Sequence, residues 1–400
     1  METTNKIAEI TKALFLEHLL FRALNENLPI AIWKKPKQSL IEVIIDEDKE
    51  GIKQPGMDLD QLPPGFMIHP FLHSADHQPF FIKATNYYRF SLDENEVSDD
   101  QLPIWENSNK ELTVKIREII QSFPAGKKAK ASRKSDFIQT VNKAIESIAS
   151  GKLYKVVPAR LKKMTLPSDF DLAGTFLALC DAYPNAFINC FFSESTGFWI
   201  GASPETLIKT RADSFYTMAL AGTQKAKGDN PLKNAAWTQK EIEEQALVSR
   251  YIVDCFKKIR LREYLELGPK TTIAGGLLHL KSEFLVDMKA TNFPQLGSVM
   301  LELLHPTSAV CGMPKAEALE FLDTEENFDR SYFSGFIGPV NIEAETALYV
   351  NLRCAKLENK EVLLFAGAGV TEDSVPEKEW EETEMKCNII GKIIKTNQSR

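Results

Sequence analysis

The chain has 400 residues, 44% of them apolar and 26% charged, the balance of an ordinary globular protein long enough to bury a large core. A formal charge of −7 argues against a broad basic surface for nucleic acid, and no apolar run reaches the roughly 18 residues a membrane span needs. The six cysteines (Cys180, Cys190, Cys255, Cys311, Cys354 and Cys387) form no CxxC pair and mostly have apolar neighbours, so free buried thiols in a reducing, cytoplasmic setting are expected.

Residues 8–25 have the periodicity of an amphipathic helix and follow no basic leader. Short strands are predicted at Ala31–Trp33, Ile41–Ile45 and Phe80–Ile82, with exposed acidic stretches at Asp46–Glu50 and Asp93–Gln101. Ser122–Lys134, SFPAGKKAKASRK, reads as a mobile crossing, and it lacks the interleaved aromatics of a nucleic-acid patch. Ser135 is the expected N-cap of a helix carrying Phe137, Val141, Ala144, Ile145 and Ile148, with Gly151 past its end.

A strand KVVPAR (Lys155–Arg160) comes next, then a helix over Leu172–Tyr183. Strands are predicted at Asn185–Phe192, Gly197–Ser203, Thr206–Thr210 and Ser214–Gly222, and a long helix from Trp237 to Arg260. Near the end, Glu345–Glu358 and Glu361–Gly369 form an antiparallel pair about the tight turn Asn359–Lys360, and an acidic helix follows. The sequence lacks both a GxGxxG fingerprint and a GxxxxGK[ST] loop, so the pattern is that of an α+β or layered α/β protein rather than a doubly wound nucleotide fold.

Glu379, Glu382 and Lys386 share one face of the last helix, and Glu241 and Glu244 share a face of the long one. If the two helices cross, these acids converge, and such a cluster stays ionised only beside a cation. Oxygen ligands without closely spaced His or Cys suit Mg²⁺ rather than Zn²⁺. Two solvated acidic faces with ordinary intrahelical pairs explain the same spacing.

Lys155 heads an apolar strand, where burial would make it a usable base; on an edge strand it would stand in water. Glu205, after the strand end in GASPETL, is either a partly buried acid or a turn residue. The glycine loops Ala221-Gly222-Thr223, Gly335-Phe336-Ile337-Gly338 and Gly367-Ala368-Gly369 can bring backbone N–H groups to an anion. Arg353, alternating inside a strand, can clamp a carboxylate, and Lys386 adds a second cation. His305, in LHPTSAVCGMP, is equally a structural histidine or a pocket one.

Taken in order, KVVPAR, GASPE, ALAGT, KEIEEQALV, HPTSAVCGMP, SGFIGPV, ALYVNLRCA, FAGAGV and SVPEKEWEET resemble the chorismate-utilising enzymes, above all the isochorismate synthases. The likeness is strong over residues 135–395 and weak before them. It implies the layered fold of anthranilate synthase component I, with two large mainly antiparallel sheets and outer helices. Residues 1–125 would be a variable part of that fold and 126–400 its chorismate-binding core.

The resemblance also implies Mg²⁺ at Glu244, Glu379 and Glu382, with Glu241 at an outer acidic position. It implies chorismate contacts from Arg353, Lys386, Gly222, Thr223, His305, Gly367, Ala368 and Gly369. Lys155 matches the lysine that activates water, where anthranilate synthases carry glutamine. Ala221 stands where aminodeoxychorismate synthases place a nucleophilic lysine. The expected reaction is conversion of chorismate to isochorismate, with Lys155 as base and Glu205 as acid. Salicylate synthase, which goes on to eliminate pyruvate, is the alternative, and an anion-binding regulatory module without catalysis is a third reading. A monomer or dimer acting at the head of menaquinone or catechol siderophore synthesis is expected, with no nucleic-acid or membrane partner.

Overall fold

Every residue of Ile30–Lys34 and Phe187–Ser193 is buried, as in strands covered on both faces. The computed structural model describes residues 10–94, 96–97, 109–124, 130–228, 230–274 and 276–396. Within them two large sheets dominate. The first has eight strands in the order Ala159–Thr165, Glu361–Gly367, Cys354–Glu358, Gly197–Ser203, Phe187–Ser193, Ile30–Lys34, Leu40–Ile45 and Asn86–Ser91. The second has nine, in the order Leu265–Ala274, Leu277–Asp287, Ser214–Lys225, Thr206–Arg211, Glu345–Val350, Phe336–Val340, Gly65–His69, Phe80–Lys83 and Ile52–Lys53. All the pairings described in both sheets are antiparallel.

Alternation along each strand divides the core into three layers. In Phe187–Ser193, Phe187 and Phe191 join Trp33, Phe66, Trp199 and Tyr349 between the sheets. Ile188, Cys190 and Phe192 face outward, beneath the helices Lys12–Glu26, Leu172–Ala182 and Pro376–Thr396. The nine-stranded sheet is covered on its far side by Lys134–Ala149, Gln239–Lys258, Leu296–Leu304 and Lys315–Glu325. The result is an α/β/β/α sandwich, the layered architecture expected from the sequence. Strands from the first ninety residues enter both sheets. All six cysteines are free and buried.

Several local expectations change. The first described helix begins at Lys12, because the Thr11 side chain accepts the Leu14 N–H and so sets the N-cap there. The helix Lys134–Ala149 takes Arg133 as N-cap without a side-chain bond, and Ser135 lies inside its first turn. Parts of Asp93–Gln101 and of Ser122–Lys134 lie outside the described residues. KVVPAR is not one strand: Lys155–Val156 pairs with Gly312–Met313, and Ala159–Thr165 joins the eight-stranded sheet. Pro158, which has no N–H to give a ladder, stands at the break.

Glu345–Glu358 is likewise two strands in different sheets, Glu345–Val350 and Cys354–Glu358. The hairpin that follows turns at Asn359 and Lys360, both at positive φ (42° and 62°), as a two-residue turn with right-handed twist demands. The loop around Gly335 and Gly338 serves strand packing rather than anion binding. A Cβ at Gly335 would lie 2.0 Å from the His69 carbonyl oxygen, and one at Gly338 2.1 Å from that of Ala347.

Candidate active site

Two crossovers between the sheets build one wall of a cleft. Pro204 and Glu205 connect Gly197–Ser203 to Thr206–Arg211, and residues 351–353 bring the chain back from Glu345–Val350 to Cys354–Glu358. The crossovers are tied together: Val350 N–H donates to the Glu205 carbonyl (3.0 Å), Ser203 Oγ to the Val350 carbonyl (2.5 Å) and Ala202 N–H to the Arg353 carbonyl (2.9 Å). Arg353 has a φ of 49° and is therefore not an alternating strand residue. That turn sends its side chain, like that of Glu205, into a cavity of about 630 Å³, mouth included.

Both side chains are almost wholly withdrawn from water. Burial pushes the Glu205 carboxyl up to about 8, although Lys155, Arg353 and Lys386 each pull it the other way. Glu205 therefore keeps its proton at neutral pH and can donate it. Burial brings the Arg353 guanidinium down to about 10, and its Nε has no partner, so a donor is left for an incoming carboxylate.

Lys155 is fully buried rather than on a solvated edge. Its Nζ lies 3.0 Å from Glu244 Oε1, across from the loop Gly367-Ala368-Gly369. A Cβ on Gly369 would lie 2.1 Å from that oxygen and 3.2 Å from Lys155 Cε, so any other residue there must push the Glu244 carboxylate from its place beside Lys155. Gly369→Ala is therefore expected to displace Glu244 and Lys155 and to lower turnover at least about tenfold, a loss that a small misplacement of catalytic groups suffices to cause. Steady-state kinetics beside a melting curve checks this; normal kcat in a folded variant would refute it.

The other loop residues play unequal parts. The Gly367 carbonyl accepts from Lys386 Nζ (2.8 Å), which aims that ammonium at the cavity. Ala368 N–H is already bonded to the Pro158 carbonyl (3.1 Å) and is not free for an anion. Gly222 (φ 67°) and Thr223 line the opposite side, where the ladder slips between Ala221 and Gln224.

The acids meet as follows. Glu244 carries Lys155, Glu379 Oε1 carries Lys240 at 2.5 Å, and Glu382 carries Lys386 at 2.6 Å. Burial, then the charge of Glu382, raises the Glu379 carboxyl; burial acts on Glu382 too, but Lys386 and Lys240 outweigh it and hold that carboxyl low. Glu241 is used differently. It accepts from the Thr238 backbone N–H (2.7 Å) as the reciprocal half of a capping box, and Gln224 donates to its other oxygen at 3.2 Å. It is a helix cap, not a donor to the acid cluster.

Among the described residues, no three His, Cys, Asp or Glu side chains stand close enough, as placed, to hold a metal ion. The donor set nevertheless fits a hard cation, since it is all carboxylate oxygen and Glu379 Oε2 is buried with no partner.

The sequence model of the family described as "chorismate binding enzyme" matches residues 74–395. The chain belongs to that family. Curated relatives of this chorismate-binding protein include the isochorismate synthase EntC of Escherichia coli, 29% identical over 68% of this chain and 71% of the relative. The vibriobactin-specific isochorismate synthase of Vibrio cholerae is 27% identical over 70% of this chain and 69% of its own. Among solved structures, the menaquinone-specific isochorismate synthase MenF of Escherichia coli superposes with a TM-score of 0.72 at 22% identity, over 94% of this chain and 91% of that one. Anthranilate synthase component I of Streptococcus pneumoniae gives 0.61 at 17% identity over 91% and 92%. The chain thus has the fold of anthranilate synthase component I and the isochorismate synthases. No helix among its described residues is long and apolar enough to cross a membrane.

In this chorismate-binding chain the histidine on the cleft wall is His279, not His305. His305 lies outside the lining, edge-on to His69 (4.7 Å) and to Phe336 (4.9 Å). Burial holds it well below the usual imidazole range, so it is a neutral core residue. His305→Leu is expected to lower the melting temperature and leave ligand affinity unchanged, as calorimetry and titration would show; weakened binding in a folded variant would return His305 to the site.

His279 is buried, and burial first, then the Arg353 charge, brings it down to about 3. Its Nδ1 lies 2.6 Å from the Gly222 carbonyl, an acceptor only, so Nδ1 carries the hydrogen. The unpartnered Nε2 is then free to accept from a ligand hydroxyl. Arg330 is a second lining residue that sequence reasoning missed. It donates to the Val157 (2.7 Å) and Val310 (2.8 Å) carbonyls and pins the segment after Lys155. The available signal was a histidine in the alternating strand LLHLKSEF; Arg330, in the polar stretch TEENFDRSY, carried none.

Proposed function

We propose that the protein is an isochorismate synthase. The observation that supports this best is a single cleft with a buried, protonated Glu205 on its wall and the Lys155 amine behind Gly369, with Arg353 and Lys386 offering two cations for carboxylates. The family and the relatives named above fit the same reading.

In this reading Arg353 and Lys386 bind the carboxylates of chorismate, and His279 Nε2 accepts from a hydroxyl. Lys155 takes a proton from water as the oxygen adds at C2 of the ring. Glu205 gives its proton to the departing C4 hydroxyl, the double bonds shift, and isochorismate leaves with no net redox change. Mg²⁺, held by Glu244, Glu379 and Glu382, would neutralise carboxylate charge and polarise the ring system when bound. Lys386 and Arg353 fix the substrate, and the surrounding apolar walls (Val157, Leu220, Val310, Phe333) exclude bulk water.

The test is incubation of the purified chain with chorismate and MgCl₂, followed by chromatography. Isochorismate alone is expected. Salicylate with pyruvate would assign the elimination as well, and no product with measurable chorismate affinity would overturn the enzymatic reading.

A further inference from the structure

We infer that Lys240 is a built-in counter-cation: its ammonium holds the place of the divalent ion among Glu244, Glu379 and Glu382, and it swings out to solvent when that ion binds. This rests on the metal-dependent reading above. The lysine lies four residues, about one turn, before Glu244 on the helix Gln239–Lys258, and its Nζ is 2.5 Å from Glu379 Oε1. Burial disfavours its charge, but Glu379 foremost, then Glu382 and Glu244, favour it and outweigh that cost.

Each of the three carboxylates stands within 3.0 Å of a lysine nitrogen (Lys155, Lys240 and Lys386), which lets acids this deeply buried stay together without a metal. A dication competes for those same oxygens. Oxygen ligands to a small dication must close on it at about 2 Å, which leaves no room for an ammonium on the same oxygens.

Of the three lysines, Lys240 is the one placed to leave. Lys155 is completely enclosed, and Lys386 is also held by the Gly367 carbonyl. Lys240 has the most exposed side chain of the three, 18% against 0% and 15%. Among the described residues its one side-chain hydrogen bond goes to Glu379. A flexible four-carbon stem at the first turn of a helix needs only rotamer changes to reach water. The second Glu379 oxygen, buried and unpartnered, is an acceptor that the single ammonium leaves unused.

The experiment is calorimetric titration of MgCl₂ into the full chain without chorismate, comparing wild type, Lys240→Met, Lys240→Gln and, as a control, the exposed Lys258→Met. Removing a unit positive charge that the ion must displace is expected to tighten Mg²⁺ binding by roughly tenfold or more in both Lys240 variants and to leave the control unchanged. In parallel, wild-type protein is treated with an amine-acylating reagent with and without MgCl₂, and Lys240 modification is read by mass spectrometry. It should rise on adding the ion.

Equal or weaker Mg²⁺ affinity in a folded Lys240 variant, or Lys240 labelling that stays level or falls, overturns the inference while leaving the proposed function standing. Failure of every protein, wild type included, to bind Mg²⁺ overturns both.

Discussion

Replacing Lys155 by alanine is expected to cut the conversion of chorismate by roughly 10²–10⁴-fold, the range a positioned general base supplies. The side chain is enclosed; its Nζ lies 3.0 Å from Glu244 Oε1 but meets hydrogen-bond geometry with no group among the described residues. Chorismate affinity should change little, because Arg353 and Lys386, which bind the carboxylates in the proposed reading, are untouched. Alanine also leaves Glu244 without its partner, and breaking one side of a buried pair costs about 3–5 kcal/mol. Lys155→Gln is therefore run beside it, with melting curves on both. Product formation and equilibrium affinity decide the matter. Turnover within threefold of wild type in either folded variant would remove Lys155 from the chemistry.

Glu205→Gln is expected to show a loss of similar size, roughly 10²–10⁴-fold in kcat, because glutamine keeps the shape but has no acidic proton to give. The pH dependence separates this role from a merely structural one. With its carboxyl pushed up to about 8, Glu205 is a competent acid below that pH, so wild-type kcat should fall as pH rises through about 8. The residual activity of the variant should lack that limb.

Stability has a matching sign. A carboxyl whose pKa is higher in the folded chain binds its proton more tightly there. Its contribution is complete below the unfolded value, near 4.5, and is lost as pH rises toward about 8. Glutamine cannot ionise, so at pH 9 the variant should melt no lower, relative to its own value at pH 6, than wild type does. A wild-type kcat with no fall near pH 8, or a fall that persists unchanged in Glu205→Gln, would assign the proton to another group.

Both predictions depend on positions whose residue types stood out early and whose surroundings did not. Periodicity of 3.6 and 2 located the helices Leu172–Ala182 and Gln239–Lys258 and the strands Phe187–Ser193 and Gly197–Ser203 within a few residues, because those patterns arise from burying one face or both. The same method merged Lys155–Val156 with Ala159–Thr165, and Glu345–Val350 with Cys354–Glu358. Apolar runs that pass between two sheets keep an apolar appearance through the crossover, and the crossover is where Arg353 turns into the cleft. Glu241 and Glu244 look alike by spacing. Only the chain before the helix, with Thr238 at its cap, makes one a cap and leaves the other facing Lys155.

By itself the sequence determined that this chain is a layered α/β protein, that it carries an ordered set of motifs placing it among chorismate-binding proteins, and that acids recur at helical spacing on two remote helices. Those features are local, written in residue type and interval. The tertiary structure alone decided that Glu244 and Glu379 meet lysines from elsewhere in the chain, that burial leaves Glu205 protonated, and that His279 rather than His305 faces the cleft. Charge pairing and desolvation depend on distance through space and on what displaces water, and neither quantity is a function of separation along the chain.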